Sequence, residues 1–312
     1  MYNEDVNNKL YTFFKTEMGM IDYTRGWLKG ECPNCGKYKL GINIQDGRVN
    51  CFVCGYLGNP MRFIANQKNI VSLREVYKLL NIYGGIMPQQ RKYLKAVGSK
   101  IKLPESFRLL SLGDSEMAKL ARNYIKLRGL SVKGSTYAGV GYCTKGRYMG
   151  CIIFPFYQAG KLIYFMARRF ISLGEKILNP PEGEFGVSKS QVIYNIDALL
   201  LYNKINIVES VFNARTLGNN TCATLGKKLS SWQLNQFIIS PVKYISILLD
   251  PDAYSEAIEL GLRLTSANKV VKVVKLPEGG DVNTLGSVES RKLEKSQPWL
   301  NYHDVLRLKW QK

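Results

Sequence analysis

Histidine is almost missing from this chain: His303 is the only one in 312 residues. It lies in the C-terminal tail with no cysteine or carboxylate pattern around it, and it reads as incidental. No apolar run approaches the roughly 18 residues that a bilayer span needs, so neither a transmembrane helix nor a membrane partner is expected. Residues 1–9 are polar and of mixed charge, which argues against a signal peptide. No G-x-x-x-x-G-K-[ST] sequence occurs, and the stretch after residue 286 is far too short for a helicase. Acidic residues are few, 24 against 44 lysines and arginines, for a net charge of +20. The excess is +8, +7 and +5 over residues 1–105, 106–200 and 201–312, so it is spread along the chain and not gathered in a tail. That distribution suits a protein that handles nucleic acid or nucleotides over much of its surface, against the alternative of a generally basic soluble protein. An apolar share of 46% is enough for ordinary cores, and the length leaves room for two or three small domains.

What is present begins with a metal clip. Cys32-Pro-Asn-Cys35 and Cys51-Phe-Val-Cys54 are two C-x₂-C knuckles separated by fifteen residues. Each knuckle turns two thiolates toward one tetrahedral ion, and Gly36 and Gly55 supply the backbone freedom just beyond the turns. Residues 39–44 and 48–52 read as strands joined at Gln45-Asp46-Gly47, a hairpin turn sequence. The expectation is a zinc ribbon with structural Zn²⁺ on four thiolates. Disulfides are the competing reading, disfavoured because nothing suggests an oxidising compartment. Lys37, Lys39 and Arg48 interleave with Tyr38, Phe52 and Tyr56, the mixture a single-strand reader uses, although Phe52 is expected to pack the ribbon core. Cys143, Cys151 and Cys222 sit in apolar surroundings and are expected to be core residues.

Residues 61–67 and 73–80 have the periodicity of short amphipathic helices, the second opened by a capping box of Ser72 and Glu75. This completes a first domain over residues 1–83. Residues 84–103, with Gly84-Gly85, Pro88 and a basic polar run, read as a linker. Structure resumes in a basic α+β region, residues 104–200. A helix is expected over residues 115–128, ended by Gly129, then strands over 150–157 and 161–170 joined at Ala159-Gly160.

From residue 201 to 286 strand and helix alternate. Short β-branched runs at 205–208, 222–225, 244–249 and 270–275 are separated by helical stretches at 211–217, 231–239 and 253–266. Such alternation implies a parallel sheet covered by helices. Functional groups in these sheets collect beyond the carboxyl ends of the strands, where Glu209, Asp250, Asp252 and Asp281 all fall. Acids converging on one edge repel each other unless a cation neutralises them, and oxygen ligands favour Mg²⁺ or Mn²⁺. The competing reading makes Asp250 or Asp252 a helix N-cap. Residues 287–312 are expected to form one or two helices, with Trp299, Leu306 and Trp310 available for packing.

Glu209, Gly226 within Ala-Thr-Leu-Gly, Asp250-x-Asp252, and Asp281 after Leu-Pro-x-Gly-Gly together resemble the Toprim domain, shared by DnaG-type primases, type IA and type II topoisomerases and some nucleases. Two departures stand out. Ser210 and Asn213 replace the Gly and Asp common after the glutamate, and Asn283 stands where bacterial primases carry a second acid. Upstream, Tyr124-x-x-x-Arg128-Gly-Leu, Gly141-Tyr142, Arg147, Phe165-x-x-Arg168, Lys176-Ile-Leu-Asn-Pro180 and Ser188-Lys189-Ser190 resemble the basic half of a DnaG-type core. Ile177 replaces a tyrosine usual there. The N-terminal ribbon resembles that of phage primases, where it helps select the template trinucleotide.

The resemblance implies a DNA primase making short RNA primers on a single-stranded DNA template from NTPs. Mg²⁺ or Mn²⁺ would be held by Glu209, Asp250 and Asp252 with Asp281 assisting. Arg128, Arg147, Arg168, Lys176 and Lys189 would line the nucleotide and template path. It also implies a cytoplasmic location, in a bacterial host if the gene is a phage's, and replication partners such as a helicase and a single-strand-binding protein. A Toprim nuclease and a non-catalytic single-strand binder remain as alternatives, the latter kept open by Asn213 and Asn283.

Overall fold

The computed structural model describes residues 4–24, 26–45, 47–70, 73–80, 101–172, 174–182 and 186–310. The Ser72 cap and most of the linker expected over residues 84–103 lie outside them. Two compact units result, Met1–Gln89 and Gln90–Lys312.

In the first unit an N-terminal helix, α1 (Glu4–Met18), precedes strands β1 (Ile21–Asp22), β2 (Trp27–Gly30), β3 (Leu40–Asn43), β4 (Arg48–Cys51) and β5 (Leu57–Gly58), followed by α2 (Pro60–Gln67) and α3 (Leu73–Leu80). The strands pair in order as an antiparallel sheet, with Leu40 opposite Cys51 and Ile42 opposite Val49. Sequence reading took residues 1–9 only as a polar start and did not anticipate α1. Its apolar stripe is Val6, Leu10, Phe13 and Phe14, all buried, the 3.6-residue spacing of an amphipathic helix. Phe14 meets Phe63 of α2 with ring centres 6.0 Å apart. Asn59 caps α2 by accepting from the Arg62 N–H at 2.9 Å.

The second unit holds two sheets. Strands β6 (Phe107–Leu109), β7 (Gly141–Cys143), β8 (Cys151–Gln158), β9 (Lys161–Arg169) and β10 (Ile177–Leu178) form an antiparallel sheet in the order β10-β9-β8-β7-β6. Helices α4 (Glu116–Leu127) and α5 (Val132–Tyr137) lie between β6 and β7 in the chain. Ser115 caps α4, and Gly129 follows it at φ +68°, a left-handed residue that lets the chain leave the helix. After the short α6 (Ala198–Leu201), the chain alternates through β11 (Lys204–Val208), α7 (Val211–Leu217), β12 (Thr221–Ala223), α8 (Ser231–Ile239), β13 (Tyr244–Leu248), α9 (Tyr254–Thr265) and β14 (Val270–Val273). These strands form a parallel sheet in the order β12-β11-β13-β14. The fold class is therefore the expected one: a ribbon, a basic α+β sheet and a parallel α/β sheet.

One apolar cluster runs through both sheets of this unit, joining Phe154 and Phe165 of β8 and β9 to Val208, Phe212 and Leu248. Ile101, read from sequence as linker, is buried in that cluster, as are Cys143 and Cys151. Cys222 is buried too, so all three lone cysteines are core residues.

The chain ends in α10 (Val282–Ser296), bent at Gly286 (φ +78°), and α11 (Tyr302–Trp310). Trp299 packs edge-on to Tyr244 at 5.1 Å. Trp310, expected to pack, is instead 78% exposed, and Val305 supplies the buried contact of α11. No described helix is long and apolar enough to cross a membrane.

Candidate active site and metal centre

The four ribbon cysteines bring their sulfurs within 4.8 Å of one another. Cys32 and Cys54 lie 3.8 Å apart and Cys35 and Cys51 3.7 Å apart, each pair reaching across the two knuckles. Sulfurs at about 2.3 Å from a tetrahedral ion stand about 3.8 Å from each other, so the cluster has the dimensions of a zinc site. All four thiols are free, and the disulfide reading falls. Gly36 and Gly55 sit at φ +65° and +69°, turning the chain back as each knuckle closes. Asn34 and the Tyr56 backbone N–H pull the Cys54 thiol down to about 6, whereas burial pushes Cys32 up to about 12. Phe52 corrects the sequence reading: it is 70% exposed and lies over Gly41, not in a ribbon core. Lys29 stands over the rings of Tyr23 and Tyr38 at 5.0 and 5.7 Å, and Arg48 over Trp27 at 5.8 Å, leaving an aromatic and cationic face on this sheet.

In the second unit the parallel register sets the acids side by side. Val208 of β11 is level with Leu248 of β13, so Glu209 and Asp250 leave neighbouring strands at the same edge. Burial pushes the Glu209 pKa up, and the charges of Asp250 and Asp252 push it further. Asp250 is raised by burial and by Asp281, against the hydrogen bond from Asn213. Asp250 and Asp252 thus lie within electrostatic reach of Glu209, and Asp281 within reach of Asp250. They do not form a closed cage: among the described residues only the cysteines bring three potential ligand atoms within 4.8 Å. Asp281 also caps α10, accepting from the Thr284 N–H at 2.7 Å. A lysine that sequence reading did not single out, Lys227, pairs with Asp252 at 3.1 Å.

Asn213 and Asn283, read from sequence as departures, carry the network. Asn213 is fully buried. Its amide donates to Asp250 Oδ1 at 3.0 Å, and its Oδ1 accepts from the Asn283 backbone N–H at 3.1 Å. The Asn283 amide donates in turn to Thr216 Oγ1 and to the Arg128 carbonyl, both at 2.8 Å. Both ends of the Asn213 amide and the Asn283 amide nitrogen are thus used in line from the acids to the basic region.

At the far end of that line Arg128 lays its guanidinium over the Phe212 ring at 4.6 Å, and its Nε is buried without a hydrogen bond. Tyr124, one turn earlier on α4, stacks edge-on to Phe212 at 6.2 Å, and its hydroxyl accepts from Arg168 Nε at 3.3 Å. Successive residues of α7 therefore serve two purposes: Phe212 seats the arginines and Asn213 steadies Asp250. Lys176 and Arg147 are exposed at the edge of the antiparallel sheet, where Arg169 ties their loops together through the Lys176 and Met149 carbonyls. Lys189 is exposed beside the strand ends: the Gln233 amide holds its carbonyl at 3.2 Å and the Thr224 carbonyl at 2.9 Å. Arg128 and Arg168 thus share one cluster, while Arg147, Lys176 and Lys189 are exposed outside it.

A tetrathiolate ribbon combined with a basic antiparallel sheet and a carboxylate-edged parallel sheet defines the class of architecture. Solved structures similar to this chain include primases. The Aquifex aeolicus primase (zinc-binding and RNA polymerase domains) matches over 96% of this chain and 86% of its own, with 18% identity and a TM-score of 0.50. The DnaG primase catalytic domain bound to single-stranded DNA matches over 63% of this chain and 76% of its own, at 19% identity and TM-score 0.53. A DNA primase domain from Pseudomonas aeruginosa covers 60% and 74%, at 23% identity and TM-score 0.51. No family model matches the sequence, and no curated protein matches it. The chain shares the fold of the zinc-binding and RNA polymerase domains of DnaG primases.

Proposed function

We propose that this protein is a DNA primase, joining NTPs into short RNA primers on a single-stranded DNA template. One observation supports the reading: Asp250, at the carboxyl edge of the parallel sheet, is tied through Asn213 and Asn283 to the backbone of Arg128, whose side chain shares a cluster with Arg168. Glu209, Asp250 and Asp252, with Asp281 beside them, are the donors for Mg²⁺ or Mn²⁺. The open spacing suits Mg²⁺, which keeps several waters and is usually bound by one or two carboxylates plus substrate phosphates. When bound, the ion would supply charge to the attacking 3′-hydroxyl and the departing pyrophosphate.

The chain's own residues do the rest. Arg128 and Arg168 are preorganised on Phe212 and Tyr124, so their charge meets the phosphates without reorganising, and that preorganisation supplies most of the rate gain in such transfers. The unpaired Arg128 Nε is a donor awaiting an anion. Lys176, Arg147 and Lys189 extend the positive path for template and nucleotide. The aromatic and cationic face of the ribbon, with Tyr23, Tyr38 and Trp27, is suited to stacked bases and phosphate of single-stranded template.

Incubation with single-stranded template, Mg²⁺ and labelled NTPs tests this directly. Short RNA products are expected; shortened template would mean a nuclease, and retention without either would mean a binder. Removing residues 1–60 is expected to spoil initiation on template while sparing extension of a supplied primer. Equal loss of both would contradict that division of labour.

A further inference from the structure

Lys227 lies across the mouth of the carboxylate cleft. It follows the edge strand β12, whereas Asp252 follows β13 two strands away, so the 3.1 Å pair spans the end of β11 where Glu209 emerges. The loop that carries it is pinned from both sides. The Leu225 N–H donates to the Glu209 carbonyl at 2.9 Å, and Thr224 Oγ1 donates to the Gly226 and Val208 carbonyls at 2.9 and 3.3 Å. Leu225 itself is held at φ +61°, a left-handed conformation costly for a branched side chain. Glu209, Asp252 and Glu256 all act on the Lys227 charge. Lys227 is the only cation the structure pairs with any of the four cleft acids among the described residues. Both partners are largely exposed, so the pair adds little to stability and breaks easily. Asn213 and Asn283 add no charge and donate to protein groups, leaving the lysine as the resident counter-charge.

We propose that Lys227 is a nucleotide-binding cation that exchanges partners: it holds Asp252 while no divalent ion is bound, and turns to the triphosphate once an ion takes Asp252. This rests on the metal-dependent reading above. A lysine suits the exchange, being a point charge on a flexible stem with three donors. A cation and a divalent ion compete for one carboxylate, whereas a cation and a metal-bound triphosphate attract. Removing the lysine should therefore move the two affinities in opposite directions, which a merely structural residue would not do.

The test uses the full chain as wild type, Lys227→Ala, Lys227→Arg and, as a control for the cleft, Asp250→Asn. Mn²⁺ binding is read by electron paramagnetic resonance without nucleotide, and the KM for NTP is read in primer synthesis. Lys227→Ala is expected to bind Mn²⁺ roughly five- to tenfold more tightly and to raise the KM roughly tenfold, from one unit charge lost at a few ångströms. Lys227→Arg should restore both toward wild type. Unchanged or weaker Mn²⁺ binding in Lys227→Ala, or an unchanged KM, overturns the exchange while the primase reading stands. Mn²⁺ bound no better by wild type than by Asp250→Asn overturns the metal-dependent reading itself, and the exchange with it.

Discussion

The carboxylates on either side of the parallel sheet sit in opposite electrostatic settings. Glu294, on α10, is buried, and burial alone would push its pKa up. Lys204, Ser246 and Lys272 more than reverse this, and the net shift is down. Lys204 and Lys272 approach its Oε1 at 2.8 and 3.4 Å, Ser246 donates to the same oxygen at 2.8 Å, and both lysines stand over the Trp299 ring. Glu209 and Asp250, at the carboxyl edge, are pushed up first by burial and then by the charges of neighbouring acids, with no ion pair among the described residues to reverse either shift. A fold that can neutralise Glu294 this thoroughly has the means to neutralise the edge and leaves it negative. The difference separates an acid that fastens a helix to the sheet from acids that, on the proposed function, await an exogenous cation.

The comparison breaks first at Asp250. Asp250→Asn should reduce primer synthesis by about a thousandfold while the far-ultraviolet circular dichroism stays that of wild type. Product at the wild-type rate would remove Asp250 from the chemistry. Next comes its support: Asn213→Ala takes away a donor to Asp250 and an acceptor for Asn283. Synthesis should fall about 10- to 100-fold, as for other residues that orient metal ligands, with Mn²⁺ affinity falling alongside.

Glu294→Gln should show the reverse pattern, about 3 kcal/mol less stable in urea unfolding but with Mn²⁺ affinity retained. Because the folded-state pKa is lowered, the stabilisation by Glu294 is present above the unfolded carboxylate pKa and is lost as pH falls through the folded one. The gap between wild type and Glu294→Gln should accordingly close in acid. Asp197 is the intermediate case and the smallest effect. Both its oxygens accept from the Ala159 N–H at 3.0 Å, no cation pairs with it among the described residues, and burial pushes it up to about 6. Its ionisation costs stability as pH rises from about 4 to 6. Asp197→Asn should flatten that fall by about 2 kcal/mol between thermal unfolding at pH 4 and pH 7.

Much of this was legible in the sequence for physical reasons. Period-two and β-branched runs marked β8, β9, β11, β13 and β14, because strands buried in sheets tolerate little else. Helical length and periodicity, with Gly129 closing the first, placed α4, α7 and α8 to within a residue of their observed ends. The cysteine spacing marked the metal cluster, since two knuckles closing on one ion admit few alternatives. The acids were legible because strand ends at one edge of a parallel sheet must be neighbours. Phe52 was misread because small ribbons expose rings that a larger domain would bury. Asn213 and Asn283 were visible only as missing charges: an amide's value depends on partners 37 and 155 residues away. Lys227 stayed hidden among the 44 basic residues, for nothing in its local sequence reveals that its loop bends across a neighbouring strand.

The central claim is that the carboxyl edge of the parallel sheet is left negative in order to take a divalent ion. It is tested most directly by thermal unfolding of wild type and a Glu209→Gln, Asp250→Asn double variant, each with and without millimolar Mg²⁺. The account predicts that Mg²⁺ raises the wild-type midpoint, that the double variant melts above metal-free wild type, and that Mg²⁺ leaves the variant unmoved. A wild-type midpoint indifferent to Mg²⁺, or a variant that responds equally, would contradict it.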